Sequence, residues 1–306
     1  MRYLALTLAV VTVSTPAFRQ QQPPATEVFL FDMLPANGPR TWINISNNAG
    51  YDNQPSFTPD SRAVLFSSDR EGKQTDIYRY DIAAKQLTQL TRTPEPEYSP
   101  LVTPDGKGVS VIRVEPDKTQ RLWRFDLDGS NPRLVLENVK PVGYHAWIDP
   151  THLALFVLGS PNSLQVADTT TGQSETIEGG IGRSILIRPR TGTVTFISTG
   201  ASPTIKEMDP RTRKVTALRA PLAGSQDMAW MPDGHVLYMA SGTTIHGITV
   251  EKPDSNWSPF FQFAGDKMSV RALGEIDSPG QEPADITRFD PQGRPHVGPV
   301  EVFRAS

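Results

Sequence analysis

Apolar residues in this chain fall in short runs of about five, rich in β-branched and aromatic side chains. Clusters of Pro, Asp, Gly and Ser separate the runs. That texture predicts strands joined by tight turns. The turns repeat. Phe57-Thr58-Pro59-Asp60-Ser61 returns as Val102-Thr103-Pro104-Asp105-Gly106 and as Trp230-Met231-Pro232-Asp233-Gly234. Two degraded copies lie between, Trp147-Ile148-Asp149-Pro150 and Ile187-Arg188-Pro189-Arg190-Thr191-Gly192. Aligned at 59, 104, 149, 189 and 232, the copies step by 45, 45, 40 and 43 residues. A period of roughly 40–50 residues is that of a β-propeller blade.

Four elements make up each repeat. One strand leads into the Pro-Asp turn, where proline fixes φ and Asp or Gly completes the bend. A second strand follows at Ala63 to Phe66, Val109 to Ile112, Leu153 to Val157, Thr193 to Ile197 and Val236 to Met239. Its apolar residues do not alternate, as expected of a strand covered on both faces. The third strand carries the pattern Asp76-Ile77-Tyr78-Arg79-Tyr80-Asp81, matched at 122–126, 164–168, 205–209 and, without the final acid, 245–249. The acid suits a turn, because its side chain can bond nearby backbone amides. A fourth strand closes each repeat, as at Gln86 to Thr91, Arg133 to Leu136 and Lys214 to Leu218. Val28-Phe29-Leu30-Phe31-Asp32 and Trp42-Ile43-Asn44-Ile45-Ser46 match a third and a fourth strand with no first or second before them. The expected fold is therefore all-β, a six-bladed propeller of four-stranded antiparallel blades whose closing blade draws on both chain termini. The C-terminal contribution is expected from Met268 to Ile276, a Ser278-Pro279-Gly280 turn and Val297 to Phe303, with an irregular stretch at Gln281 to Pro295.

Composition narrows the function. The 306 residues include no cysteine, which excludes disulfides, thiolate metal sites and a cysteine nucleophile. A net charge of −3 without any Lys/Arg run gives no electrostatic footprint for nucleic acid. Arg2, the apolar Leu4 to Val13 and the small residues of Thr15-Pro16-Ala17 read as a secretory signal over residues 1–17. That apolar stretch is short of the ~20 residues a membrane span requires. A polar linker at 18–26 and a single propeller domain at 27–306 complete the expected organisation. With a bacterial-type signal, the compartment is the periplasm. A monomer is expected.

Taken together, Asn53-Gln54-Pro55-Ser56-Phe57-Thr58-Pro59-Asp60, Asp76-Ile77-Tyr78 and Leu87-Thr88-Gln89-Leu90-Thr91 resemble the TolB-type, WD-like propeller repeat over roughly residues 27 to 276. The resemblance implies an exported bacterial protein that binds protein partners at the cell envelope. TolB proteins carry an α/β domain before the propeller; only about ten residues separate the signal from the first strand here.

Catalytic motifs are sparse. There is no Gly-x-Ser-x-Gly elbow, no His-Glu-x-x-His and no phosphate loop. Asp126-Leu127-Asp128-Gly129 lacks the downstream glutamate of a calcium loop and reads as a hairpin turn. The candidate chemistry comes instead from alignment. Residues entering the first strand of each blade should ring one mouth of the channel: Asn53 and Gln54, Tyr98 and Ser99, Gly143 and Tyr144, Arg183 and Ser184, Gln226 and Asp227, flanked by Glu97 and His145. Arg183 would hold a carboxylate, Tyr98 and Tyr144 would stack, and Asp227 or Glu97 would accept from an amine or hydroxyl. The same polar groups could serve only to bond water and one another. The expectation is a non-catalytic binding module for an envelope protein or small polar ligand, without cofactor. The alternative is a metal-assisted lyase or hydrolase acting on carbohydrate or peptide, its divalent ion held by His145 with Gln226, Gln54 and a carboxylate. Trp123, Trp147 and Trp230 are expected between blades, and Trp42 or Trp257 over an edge.

Overall fold

A computed structural model describes residues 25–32, 41–70, 72, 74–263, 268–273 and 300–304, the last two segments as backbone strands. The expected signal peptide, most of the linker and the Gln281 to Pro295 stretch lie outside the described residues, as does the Ser278-Pro279-Gly280 turn.

The chain is all-β. After β1 (Thr26–Asp32) and β2 (Thr41–Asn44), consecutive strands build five antiparallel blades. Blade 1 comprises β3 (Asp52–Phe57), β4 (Ala63–Ser68), β5 (Asp76–Asp81) and β6 (Gln86–Gln89). Blade 2 is β7 (Glu97–Val102), β8 (Gly108–Val114), β9 (Gln120–Asp126) and β10 (Arg133–Leu134). Blade 3 is β11 (Val142–Trp147), β12 (His152–Val157), β13 (Ser163–Asp168) and β14 (Ser174–Gly179). Blade 4 is β15 (Ile181–Ile187), β16 (Val194–Ser198), β17 (Thr204–Met208) and β18 (Val215–Arg219). Blade 5 is β19 (Met228–Trp230), β20 (Val236–Ser241), β21 (Thr244–Thr249) and β22 (Ser258–Gln262). Continuous chain thus supplies five blades, not six. A terminal sheet combines the two ends in the order β2-β1-β24-β23, with β23 at Met268–Leu273 and β24 at Val300–Arg304. There β1 pairs antiparallel with β24, Glu27 opposite Val302.

Burial explains the strand types. Every residue of β4 is buried, and all but the first of β12, because second strands are covered by blades on either side. The outer β14 shows mostly exposed residues. The core is divided into clusters between successive sheets. Leu65 and Ile77 of blade 1 meet Val109, Val111 and Phe125 of blade 2. Ile112 and Leu122 meet Leu153 and Leu155 of blade 3. Phe156 and Leu164 meet Val194 and Phe196 of blade 4. Ile197 and Ile205 meet Leu237 and Met239 of blade 5. Strand β1 faces both ways: Phe31 packs with Tyr238, Ile245 and Phe263 beside blade 5, while Val28 packs with Val64, Phe66 and Tyr78 of blade 1. Burying a side chain of this size contributes roughly 1.5–3 kcal/mol.

Turn chemistry follows the acids. Asp81, Asp168 and Asp209 accept backbone N–H bonds from Ala84, Thr170 and Arg211, each at 2.8 Å. Asp126 to Gly129 is the β9–β10 turn, with the Gly129 amide bonded to the Asp126 carbonyl at 2.9 Å. Trp230 is buried between blades 4 and 5, and Trp147 and Trp123 pack against the neighbouring inter-blade clusters. The Trp147 and Trp230 indole N–H groups reach hydroxyls on the second strand of the preceding blade, Ser110 at 2.9 Å and Thr195 at 3.0 Å. Trp257 lies just before β22 and donates to the Ala220 carbonyl at 3.2 Å.

Candidate functional site

The strands entering from one face are kinked where they begin. Register shifts interrupt the first-to-second strand ladder between Asn53 and Ser56, Tyr98 and Leu101, Val142 and Tyr144, and Ile181 and Ile185. Bulges of this kind re-aim side chains at a sheet's end. In blades 1 and 2 the repeat-equivalent Gln54 and Ser99 take left-handed backbone, with φ of 58° and 53°. Their geometry locks together. The Gln54 side-chain carbonyl accepts from the Ser99 amide at 2.9 Å and from the Ser67 hydroxyl at 3.1 Å, so it ties blade 1 to blade 2. The Asn53 side-chain oxygen Oδ1 accepts from the Gln54 backbone amide at 2.7 Å.

Two candidates turn inward. Glu97 is fully buried; its carboxyl accepts from the Thr91 hydroxyl at 3.0 Å and from the Thr93 hydroxyl, with Arg113 Nε 3.8 Å away. Burial pushes it up to about 7, against the lowering hydrogen bonds of the two threonines. Asp76, also buried, is raised by the same cause and adds its charge to the Glu97 surroundings. His145 is buried between blades 2 and 3, with Nε2 2.7 Å from the Ser110 hydroxyl. Burial lowers it to about 3, so the ring is neutral at ordinary pH. Both side chains are enclosed within the core.

The aromatic candidates are half-buried. Tyr98 meets Tyr51 edge to face at 6.4 Å between ring centres, and Tyr144 meets Phe156 at 5.8 Å. Both rings pack against inter-blade clusters. The charged candidates join each other. Arg183 on β15 grips Asp227, just before β19, through Nε at 2.8 Å to Oδ1 and through a second bond to Oδ2. The arginine side chain keeps 40% exposure and the aspartate 19%, so this bidentate pair stays within reach of solvent between blades 4 and 5. Ser184 beside it accepts from the Met228 amide at 3.3 Å, and Gln226 is exposed.

Alignment of the strand starts therefore brings Gln54 to Ser99 and Arg183 to Asp227, and leaves Glu97 and His145 inside the core. It missed Asp52, which precedes Asn53 at the step of 45 residues from Glu97. Asp52 is fully buried and pushed up to about 6 by burial, with Ser68, Asn48 and the Arg70 charge moderating the rise. The acid repeated at that step was the available signal. Among the described residues, no group of three or more His, Cys, Asp or Glu is placed to share a metal ion. No described helix is long and apolar enough to cross a membrane.

No protein-family model matches the chain, and no curated protein matches it in sequence. Solved structures do match in fold. TolB from Acinetobacter baumannii is 14% identical with a TM-score of 0.60, over 79% of this chain and 66% of that one. This chain thus spans about two-thirds of that TolB. A protein assigned as TolB from Agrobacterium tumefaciens is 14% identical with a TM-score of 0.66, over 92% of this chain and 99% of that one. An oligogalacturonate lyase in complex with manganese is 13% identical with a TM-score of 0.57, over 90% and 85%. The chain folds as a TolB-like β-propeller.

Proposed function

We propose that this protein is an exported, periplasmic binding module whose single domain, residues 27–306, closes as a six-bladed disc and captures an envelope protein or a small polar ligand without catalysis. The observation that carries the reading is the half-exposed Arg183–Asp227 pair at the start of the inner strands. A carboxylate or carbonyl of the ligand can compete for a guanidinium that stays within reach of solvent. A ligand amine can in turn compete for the aspartate. Exposed Gln226 extends the polar rim with an amide that can donate and accept. At the equivalent strand starts of blades 1 and 2, Gln54 and Ser99 are already bonded to each other, which reduces the ordering that binding there would cost. Support for closure comes from β1, which packs on blade 5 through Phe31 and on blade 1 through Val28, and from its pairing with β24. The TolB fold likeness supports the class of function by analogy alone.

Mild crosslinking in envelope extract tests the reading, with wild type run beside Arg183→Gln and Asp227→Asn. The expected result is a defined partner or ligand retained by wild type and lost by both variants. Equal recovery from all three proteins, or none from wild type, would overturn it.

A further inference from the structure

A polar cavity lies at the opposite ends of the inner strands from Arg183 and Asp227. It sits between blades 3 and 4, where the β11–β12, β15–β16 and β17–β18 turns converge, and has a volume of about 560 Å³. Its wall carries Asp149, His152, Thr191, Thr193, Arg211 and Arg213. Their existing bonds decide what the cavity can take.

Both acids are spent on their own turns. Asp149 Oδ1 accepts the Thr151 and His152 amides at 2.8 Å, and Oδ2 lies 2.9 Å from His152 Nδ1. Asp209 Oδ1 accepts the Arg211 and Thr212 amides at 2.8 and 3.0 Å. These hydrogen bonds hold both carboxyls below the usual carboxylate range, for Asp149 against the opposing effect of burial. The cationic groups differ in how far they are held. Arg213 folds onto the Pro210 carbonyl and reaches Glu175 at 3.3 Å, which fixes its guanidinium at the rim. The Arg211 guanidinium forms no hydrogen bond or ion pair among the described residues, though its charge adds to the lowering of Asp209. The Thr191 and Thr193 hydroxyls, 2.9 Å apart, bond one another and retain acceptor and donor capacity. Two guanidiniums and two hydroxyls beside acids already satisfied make a donor-rich wall with no net excess of charge.

We infer that this cavity binds a small hydroxylated anion, with its carboxylate or phosphate head on Arg211 and Arg213 and its hydroxyls on Thr191 and Thr193. Guanidinium geometry suits either head. The volume accommodates a ligand the size of a hexose derivative. The site is separate from the Arg183 mouth, so each can fail alone.

Calorimetric titration of the full chain with gluconate, glucose 6-phosphate and neutral glucose tests the inference. The expected result is saturable binding of gluconate or glucose 6-phosphate, which distinguishes a carboxylate from a phosphate site, and none of glucose. Arg211→Gln should weaken that binding about tenfold or more, and Thr193→Val by a smaller factor. Arg133→Gln, which removes an exposed guanidinium on blade 2, should leave it unchanged. Absence of binding by both anions, equal binding of glucose, or equal loss in Arg133→Gln would overturn the assignment. Arg183→Gln should not alter it; if it does, the anion binds at the mouth instead.

Discussion

Glu97 and Asp52 occupy the same position in consecutive repeats, and the protein treats them alike. Each is a fully buried acid raised by desolvation, to about 7 and about 6. A carboxyl with a raised folded value costs stability as pH climbs, since the unfolded chain releases its proton first. The loss begins near pH 4, where the unfolded acids ionise, and is complete above pH 7. Glu97→Gln should therefore gain on wild type by about 2–3 kcal/mol between pH 5 and pH 8. Urea melts of both proteins at the two pH values check this; a gap that does not widen with pH would refute it. Arg188 shows the opposite case, a buried cation with full compensation. It donates to the Gly234 carbonyl at 2.7 Å and to Glu207 at 3.0 Å, also bonds Glu251, and lies over Trp230 at 4.4 Å. Arg188→Leu strands Glu207 in the interface between blades 4 and 5 and should cost about 3 kcal/mol in the same melts, with Arg188→Leu/Glu207→Leu recovering much of it. Sequence could place Arg183 and Asp227 at neighbouring strand starts, but not disclose that they satisfy each other. It could not show that Glu97 and His145 turn inward, because bulges at the strand entries decide side-chain direction and follow no simple period.

Strands were legible wherever local chemistry alone sets them. The third strand of blade 1 runs Asp76–Asp81 as its pattern implies, since the terminal acid caps the following turn. The fourth strands of blades 1 and 2 end earlier than expected, at Gln89 and Leu134, whereas that of blade 4 runs to Arg219. In blade 1 the ladder stops at Gln89, because the Thr91 hydroxyl takes the Ile77 amide at 2.8 Å where a backbone carbonyl would otherwise pair. The β9–β10 turn depends on Gly129, whose φ is 81° and whose site would set an added Cβ 1.8 Å from the Leu90 carbonyl oxygen of blade 1. Gly129→Ala should thus lose both a tolerated left-handed backbone and an inter-blade contact, by about 2 kcal/mol or more. A thermal melt with an unchanged midpoint would show that the turn relaxes freely.

Across the whole molecule, the repeat period carried the architecture, because each blade buries its faces only against its neighbours. Five blades follow one another along the chain, and β1 packs against both blade 5 and blade 1. Phe31 and Val28, three residues apart on β1, point into the two flanking clusters. Paired termini would remove the open sheet edges of an incomplete ring. A chain without cysteine allows a direct test by a single engineered pair, Glu27→Cys with Val302→Cys, at positions opposite each other in β1 and β24. Under mild oxidation of the folded protein, closure predicts rapid formation of an intramolecular disulfide in monomer and a higher melting temperature. A disulfide that forms only after denaturation, or only between molecules, would contradict the closed disc and the binding mouth built on it.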